Sequence, residues 1–238
     1  MFEAAAASSP RTSARTAPLG LWLEPPPGPR RVLAGSERFL AASSTIYAQS
    51  ARAEFIYQII SGVVRTVTLH RDGRRMVHGF HLPGEIFGLE HEKLHHCSAE
   101  AVRDTRLVQY PVSRLNLLSD TDRAAVQELW TSLLLSRDRT AARFMYVMHG
   151  SAFERLAYFL IDLAERTQSH VRIELPMSRY DIADYLGLSS ETVSRTFTAF
   201  RERGFISTKG REVRLLSDAL LRLSEGLCEE PRPHGPRQ

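Results

Sequence analysis

In the stretch from Leu175 to Arg214 apolar and polar positions follow a helical period as far as about Arg203, broken once by Gly187. Ser178 followed by Asp181 has capping-box spacing and predicts a helix over RYDIADYL, stopped by Gly187, with Leu188 dropping into the core at the turn. Ser189 is placed to N-cap a second helix running to about Arg203, where Gly204 ends it. At about 100° per residue, Val193, Phe197 and Phe200 share one face of this helix, while Glu191, Ser194, Arg195 and Thr198 share the opposite one. Two short helices around a glycine turn make a helix-turn-helix pattern. Beyond Gly204, Phe205-Ile206 and Val213-Arg214-Leu215 flank a turn from Ser207 to Arg211, predicting a β-hairpin wing with Lys209 and Arg211 near its tip. The pattern also admits an ordinary surface helix hairpin.

Upstream, from Arg30 to Pro111, the period shortens to that of strands. Runs at Glu54–Ile60, Val63–His70, Met76–Leu82, Ala99–Val102 and Arg106–Tyr110 are divided by Ser61-Gly62, Asp72-Gly73 and Pro83-Gly84. Asp-Gly between two such runs predicts a hairpin, and strands this short and frequent predict a small antiparallel barrel or roll. Ser119 and Asp122 then form another capping box, opening a helical pattern unbroken to about Met148 and about 43 Å long. That is too long for one small domain to cover. Val126, Leu129, Leu133, Ser136, Thr140 and Val147 recur near every 3.5 residues, as in the seam between two helices. A second stripe, Leu134, Leu135, Ala142 and Met145, is left to pack on the roll. The alternative is a helix folded back within a monomer. His149-Gly150 ends it, and Ser151 with Glu154 caps a further helix, AFERLAYFLIDLAERT.

The reading is therefore an α+β chain: a disordered arm (1–29), an antiparallel β-roll (30–118), a long dimerisation helix (119–149), a winged helix-turn-helix (150–218) and a tail (219–238). The arm holds six of the twelve prolines.

Composition narrows the function. The chain of 238 residues is 43% hydrophobic and 24% charged, with a net charge of +4 that is compatible with a polyanionic partner. Between Ser178 and Arg214 seven basic side chains face five acidic ones, so the nucleic-acid signal lies in placement: a carboxylate, a hydroxyl and a guanidinium on one exposed face have the reach to read base edges. Cys97 and Cys228 give no disulfide framework and fit a reducing, cytoplasmic setting. No apolar run approaches the roughly 18 residues of a membrane helix.

One motif competes. His91-Glu92-Lys93-Leu94-His95 matches the zinc-peptidase pattern H-E-x-x-H, whose chemistry needs both imidazoles one turn apart on a rigid helix. Between Gly88 and the strand pattern at Ala99 there is room for about two turns at most. A non-catalytic metal or haem site using His91, His95, His96 or Cys97 is a further alternative; a solvated loop is the preferred reading. No G-x-S-x-G and no P-loop occur, and no enzyme is expected.

The order roll, long helix, winged helix resembles the cyclic-AMP-receptor and fumarate–nitrate-regulator (Crp–Fnr) superfamily of bacterial transcription factors over about residues 36 to 216. The anchors are FIYQIISGVVR, PGEIFGLE, FERLAYFL and LPMSRYDIADYLGLSSETVSR. The fumarate–nitrate branch reads DNA with E-x-x-S-R, here Glu191, Ser194 and Arg195, which implies recognition of a TTGA half-site within an inverted repeat. Ser189, Ser190, Thr192, Thr198, Arg179, Lys209 and Arg211 complete the implied contact set. The subgroup most similar is the FixK-type activators of microaerobic and nitrogen-fixation genes, implying a homodimer that works with RNA polymerase on double-stranded DNA. The sensor half departs from the pattern. Residues 1–96 hold no cysteine, so the family's iron–sulfur ligation is impossible. Where cyclic-nucleotide binders carry an Arg-Ser pair this chain has Cys97-Ser98, and Leu89 falls at the ribose glutamate. Glu90, Glu92 and Glu100 would repel an anion. Neither a cofactor nor a cyclic nucleotide is expected.

Overall fold

The computed structural model describes residues 35–115, 123–169 and 172–217, with 220 and 222. Eight strands build two four-stranded antiparallel sheets. One orders β1 (Ser36–Leu40), β8 (Thr105–Pro111), β3 (Phe55–Ser61) and β6 (Ile86–Phe87); the other orders β2 (Thr45–Tyr47), β7 (Ser98–Ala101), β4 (Val64–Leu69) and β5 (Arg75–His81). Their inner faces close on Leu40, Ile46, Tyr47, Tyr57, Ile59, Val64, Phe87, Ala99, Ala101 and Leu107. Val64 and Leu107 are fully buried. The Asp-Gly turn joins β4 to β5, with Gly73 at φ 84° and the Asp72 carboxylate accepting from the Arg74 amide at 3.1 Å. Three strands escaped the sequence reading. β1 is largely exposed, while β2 and β6 have three and two residues, too few for alternation to register.

After a short helix α1 (Val112–Leu115), α2 runs over Arg123–His149. The Ser119–Asp122 capping box lies outside the described residues. α3 (Ala152–Arg166) follows directly after Gly150 and Ser151; Ser151 caps it, with the full capping box to Glu154 formed. β9 (Arg172–Glu174), α4 (Arg179–Leu186), α5 (Ser190–Glu202), β10 (Ile206–Lys209) and β11 (Glu212–Leu215) complete the described elements. The wing is three-stranded, in the order β10-β11-β9, because β9 pairs with β11 from Glu174↔Glu212 to Arg172↔Arg214. Both predicted caps of the helix-turn-helix are present. Asp181 and Ser178 exchange side-chain and backbone bonds, and Gly187 closes α4 in the left-handed region at φ 63°.

The core of the C-terminal half, built on Leu156, Leu160, Leu163, Ile182, Val193, Phe200 and Ile206, does not stop at the domain edge. It continues into Val63, Val67, Val77, Phe80 and Leu82 on the outer face of the β2-β7-β4-β5 sheet. Arg166 ties the same junction electrostatically: it pairs with Glu85 at 2.9 Å and Asp162 at 2.8 Å and donates to the Phe80 carbonyl. Arg143 crosses from α2 to donate to the carbonyls of Val77, His78 and Tyr185.

Two expectations about α2 need correction. The stripe assigned to the roll is open to solvent, with Leu134, Leu135 and Met145 exposed by 40, 40 and 49%. Within the expected seam, Leu129 instead packs on the cluster of Ile56 and Tyr110, and Val147 lies against the turn at Gly187. Periodicity gives the width of an apolar face but not its azimuth toward a neighbour. That depends on how the roll approaches the helix.

Candidate nucleic-acid interface

α5 is fixed from behind. Val193, Phe197 and Phe200 are 0, 3 and 0% exposed, as their spacing predicts. The Ser189 hydroxyl accepts from the Thr192 amide at 3.0 Å and bonds the Thr192 hydroxyl at 2.8 Å, so both side chains are engaged in starting the helix. With the rear face packed and the first turn capped, Glu191, Ser194 and Arg195 are held out to solvent, Ser190 and Thr198 half-buried beside them.

The exposed groups are not independent. Arg195 Nη2 donates to Glu191 Oε1 at 2.6 Å, one turn back. Ser194 gives its only proton to the Ser190 carbonyl at 2.8 Å and so faces solvent as an acceptor. Thr198 accepts from Arg201 at 2.9 Å. A guanidinium fork braced by a carboxylate matches the donor geometry that guanine O6 and N7 require, and the carboxylate's other oxygen can accept from a cytosine amino group.

Arg179 does not stand with this group. Its guanidinium lies 3.3 Å from the centroid of the Phe197 ring, and its buried Nη1 has no hydrogen-bond partner among the described residues. Burial, with the nearby charge of Arg201, lowers its pKa to about 10. The residue that the resemblance placed in the DNA contact set is half-buried against the back of the recognition helix, where its ring contact is satisfied and its charge is not.

The wing turns over Gly210-Arg211, with Gly210 at φ 61°, so Lys209 ends β10 instead of lying in the loop. Arg211 is exposed and reaches back toward the Pro176 carbonyl at 3.4 Å. Arg172, Ser207, Thr208, Lys209, Glu212 and Arg214 line a hollow of about 330 Å³, where Arg172 pairs with Glu212 at 3.1 Å. Arg172 and Arg214 join Lys209 as exposed cations, and sequence reasoning missed both. The alternation Arg172-Ile173-Glu174, with Ile173 fully buried, carries the signal, but three residues are too few to identify a strand.

The competing motif has no helix to stand on. Residues 91–97 form an irregular loop with one bridge at Leu94. His95 is 2% exposed, stacked on Tyr47 at 3.6 Å between ring centroids and 3.4 Å from Glu90, while His91 points to solvent. Burial and then Glu90 push the Cys97 thiol up to about 11, opposite to what thiolate ligation needs. Among the described residues no three His, Cys, Asp or Glu side chains gather as a metal site.

Sequence comparison matches this architecture twice: a cyclic nucleotide-binding domain over residues 37–122 and a Crp-like helix-turn-helix domain over residues 154–223. The nitrogen fixation regulation protein FixK of Azorhizobium caulinodans is 40% identical over 204 residues, 82% of each chain. The chain belongs to the Crp–Fnr superfamily. Within this family of DNA-binding transcription regulators it is FixK-like. FixK of Rhizobium meliloti is also 40% identical, over 74% of this chain and 81% of its own. The structure of FixK2 from Bradyrhizobium japonicum superposes with a TM-score of 0.75 at 34% identity, covering 80% of this chain and 98% of that one. Among the described residues no helix is long and apolar enough to cross a membrane.

Proposed function

We propose that this FixK-like protein is a homodimeric, cytoplasmic transcription activator that reads TTGA-type half-sites of an inverted repeat through Glu191, Ser194 and Arg195. What carries the reading is the Glu191–Arg195 pair, exposed and pre-oriented on a helix whose opposite face is fully packed. Lys209, Arg172, Arg214 and Arg211 on the wing supply phosphate contacts that fix register without reading sequence. Its relatives' names point to microaerobic or nitrogen-fixation genes: two carry the name nitrogen fixation regulation protein, and FnrA of Stutzerimonas stutzeri, a transcriptional activator, is 34% identical over 80% of this chain. Activation implies contact with RNA polymerase.

The dimer reading rests on α2. Trp130, Leu134, Phe144 and Met148 are 63, 40, 61 and 57% exposed, and with Ala141 they fall on the three-and-four spacing of a coiled-coil seam, with Arg137 at the position between Leu134 and Ala141. Leu133, Ser136 and Thr140 of the expected seam flank it and line a shallow groove of about 670 Å³ with Arg137, Ala141, Phe144 and Met145. Val126, 44% exposed, continues the same side. A row of this length is what a second copy of the same helix covers.

The roll is read as a scaffold that takes no cyclic nucleotide. Tyr47, Tyr57 and Phe87 pack on one another inside it, at centroid distances from 5.3 to 6.2 Å. Leu89 packs toward Ile56 and Tyr110, the Ser98 hydroxyl accepts from the Gln49 amide at 2.9 Å, and Glu90 lies beside His95. Cys97 stands where the resemblance puts the phosphate-binding arginine, and a thiol offers a phosphate no positive charge. Control then comes through the abundance of the protein or through other proteins. The test is a binding titration of a duplex carrying the inverted repeat, with and without chelator and cyclic AMP. Tight, repeat-dependent binding indifferent to both supports the reading; binding that needs a metal or a nucleotide overturns it.

A further inference from the structure

α2 ends at His149 and Ser151 already caps α3, so one glycine joins the long helix to the DNA-binding unit. Such a joint permits rotation, and something else must set the angle at which α4 and α5 are presented. The apolar part of the junction, with Phe80 at 5.3 Å from Tyr185 and 6.1 Å from Phe159 between centroids, is non-directional and tolerates sliding. Hydrogen-bonded charge pairs do not.

Besides the Arg166–Glu85 pair, which holds α3 to the roll, the pairs that reach the helix-turn-helix converge on one carboxylate. Asp181 is 4% exposed and stands at the third position of α4. Its Oδ2 accepts from the Ser178 amide at 3.1 Å and the Ser178 hydroxyl at 2.8 Å, which ties it rigidly to the helix start. Its Oδ1 accepts from Arg65 Nη1 and Arg75 Nη2, both at 2.9 Å, and both arginines belong to the roll. Neither arginine is loose. Arg65 is held from its other edge by Glu100 at 2.9 and 2.7 Å, and Arg75 Nη1 reaches Asp184 at 2.5 Å. Two guanidiniums on adjacent strands thus grip the first turn of the helix that precedes the recognition helix. Arg103 with Glu174, at 3.2 Å, adds a more exposed contact between the roll and the wing sheet.

We infer that Arg65 and Arg75 are positioning residues for operator recognition, holding through Asp181 the angle between the DNA-binding unit and the rest of the molecule. The inference rests on the dimer-and-repeat reading above. In a dimer that angle fixes the distance and rotation between the two recognition helices, and therefore the half-site spacing that fits. Adding one base pair moves the half-sites by about 3.4 Å along the duplex and rotates one against the other. A unit held at one angle rejects that change. A unit free to rotate about Gly150 follows it. Base reading within each half-site depends on α5 alone and stays as it was.

The experiment uses the full-length protein against duplexes with identical half-sites and spacers shortened or lengthened by one and two base pairs, together with a single half-site duplex. The unmodified protein should lose on the order of tenfold in affinity per base pair of spacer change. Arg65→Ala/Arg75→Ala should bind the correct spacer more weakly, lose most of that spacer discrimination and keep the guanine preference at each half-site. Arg75→Lys, which keeps a charge between Asp181 and Asp184, should restore much of it when Arg65 is present. Asp184→Asn, a milder cut at a half-exposed residue that spares the α4 cap, should shift the spacer profile the same way by a smaller factor, and it serves should the double variant fail to fold. A folded variant with an unmodified spacer profile, or one whose base preference changes instead, overturns the inference. An unmodified protein indifferent to spacing overturns the dimer reading itself, and the inference with it.

Discussion

Arg195 and Glu191 hold each other across one turn of α5, Nη2 to Oε1 at 2.6 Å, with side chains 80 and 71% exposed. An exposed pair of this kind adds only about 0.3–0.5 kcal/mol to stability, so its consequence is felt at the DNA. Arg195→Ala should leave the melting temperature nearly unchanged while costing about 1–3 kcal/mol of binding per half-site and relaxing the preference for guanine. Titration against operators varied at each half-site position measures this. A variant that still prefers guanine would show that α5 is not docked as proposed.

The wing should behave differently. Lys209 and Arg214 stand on its open face with Arg172, and phosphate is indifferent to sequence. Lys209→Ala and Arg214→Ala are each expected to weaken all duplexes alike and to lower the slope of log affinity against log salt by about one. Selective loss on one operator sequence would contradict that assignment.

For α2 the exposed row predicts where a dimer is vulnerable. Phe144→Glu or Trp130→Glu should yield a folded monomer that retains single half-site binding and loses the advantage of the full repeat. Leu129→Glu should unfold the roll junction first, because Leu129 packs on Ile56 and Tyr110. Sedimentation together with circular dichroism separates the two outcomes. An unmodified protein that sediments as a monomer yet binds the full repeat tightly would exclude the dimer.

His81 sets an expected pH dependence. Burial, with Arg166 and Arg139 adding to it against the opposing charge of Glu85, lowers its pKa to about 4. The unfolded chain therefore binds a proton there first as pH falls. The contribution is fully present above about pH 6.5 and is lost progressively between there and pH 4, on the order of 3 kcal/mol in all. Denaturant titrations of His81→Phe should show a flatter stability profile across that window. An unaltered profile would place the acid sensitivity elsewhere. Glu85 acts lower on the scale: burial raises its pKa, the charges of Arg166 and Arg139 outweigh that, and the net depression makes its contribution fade only in the carboxylate range.

What could be read from sequence was local. The caps at Ser151, Ser178 and Ser189, the stop at Gly187, the Asp-Gly hairpin and the two faces of α5 each depend on residues within about four positions of one another. Backbone geometry and side-chain chemistry at such separations leave few alternatives. The E-x-x-S-R face was legible for the same reason: one helical turn decides which side chains stand together.

The tertiary structure decided everything that spans longer separations. It turned α2 so that Leu129 meets the roll and Trp130 meets solvent, gave the wing its third strand, and laid Arg179 on Phe197. It also brought Arg65 and Arg75 to Asp181 from 116 and 106 residues away. Asp181 shows the division within a single residue. Its role as a cap follows from Ser178 three positions earlier, while its grip on the roll follows only from packing. Hydrophobic burial chooses which surfaces meet but carries no record in the spacing of either partner, so the charged groups that settle at such a junction become visible only once the chain is folded.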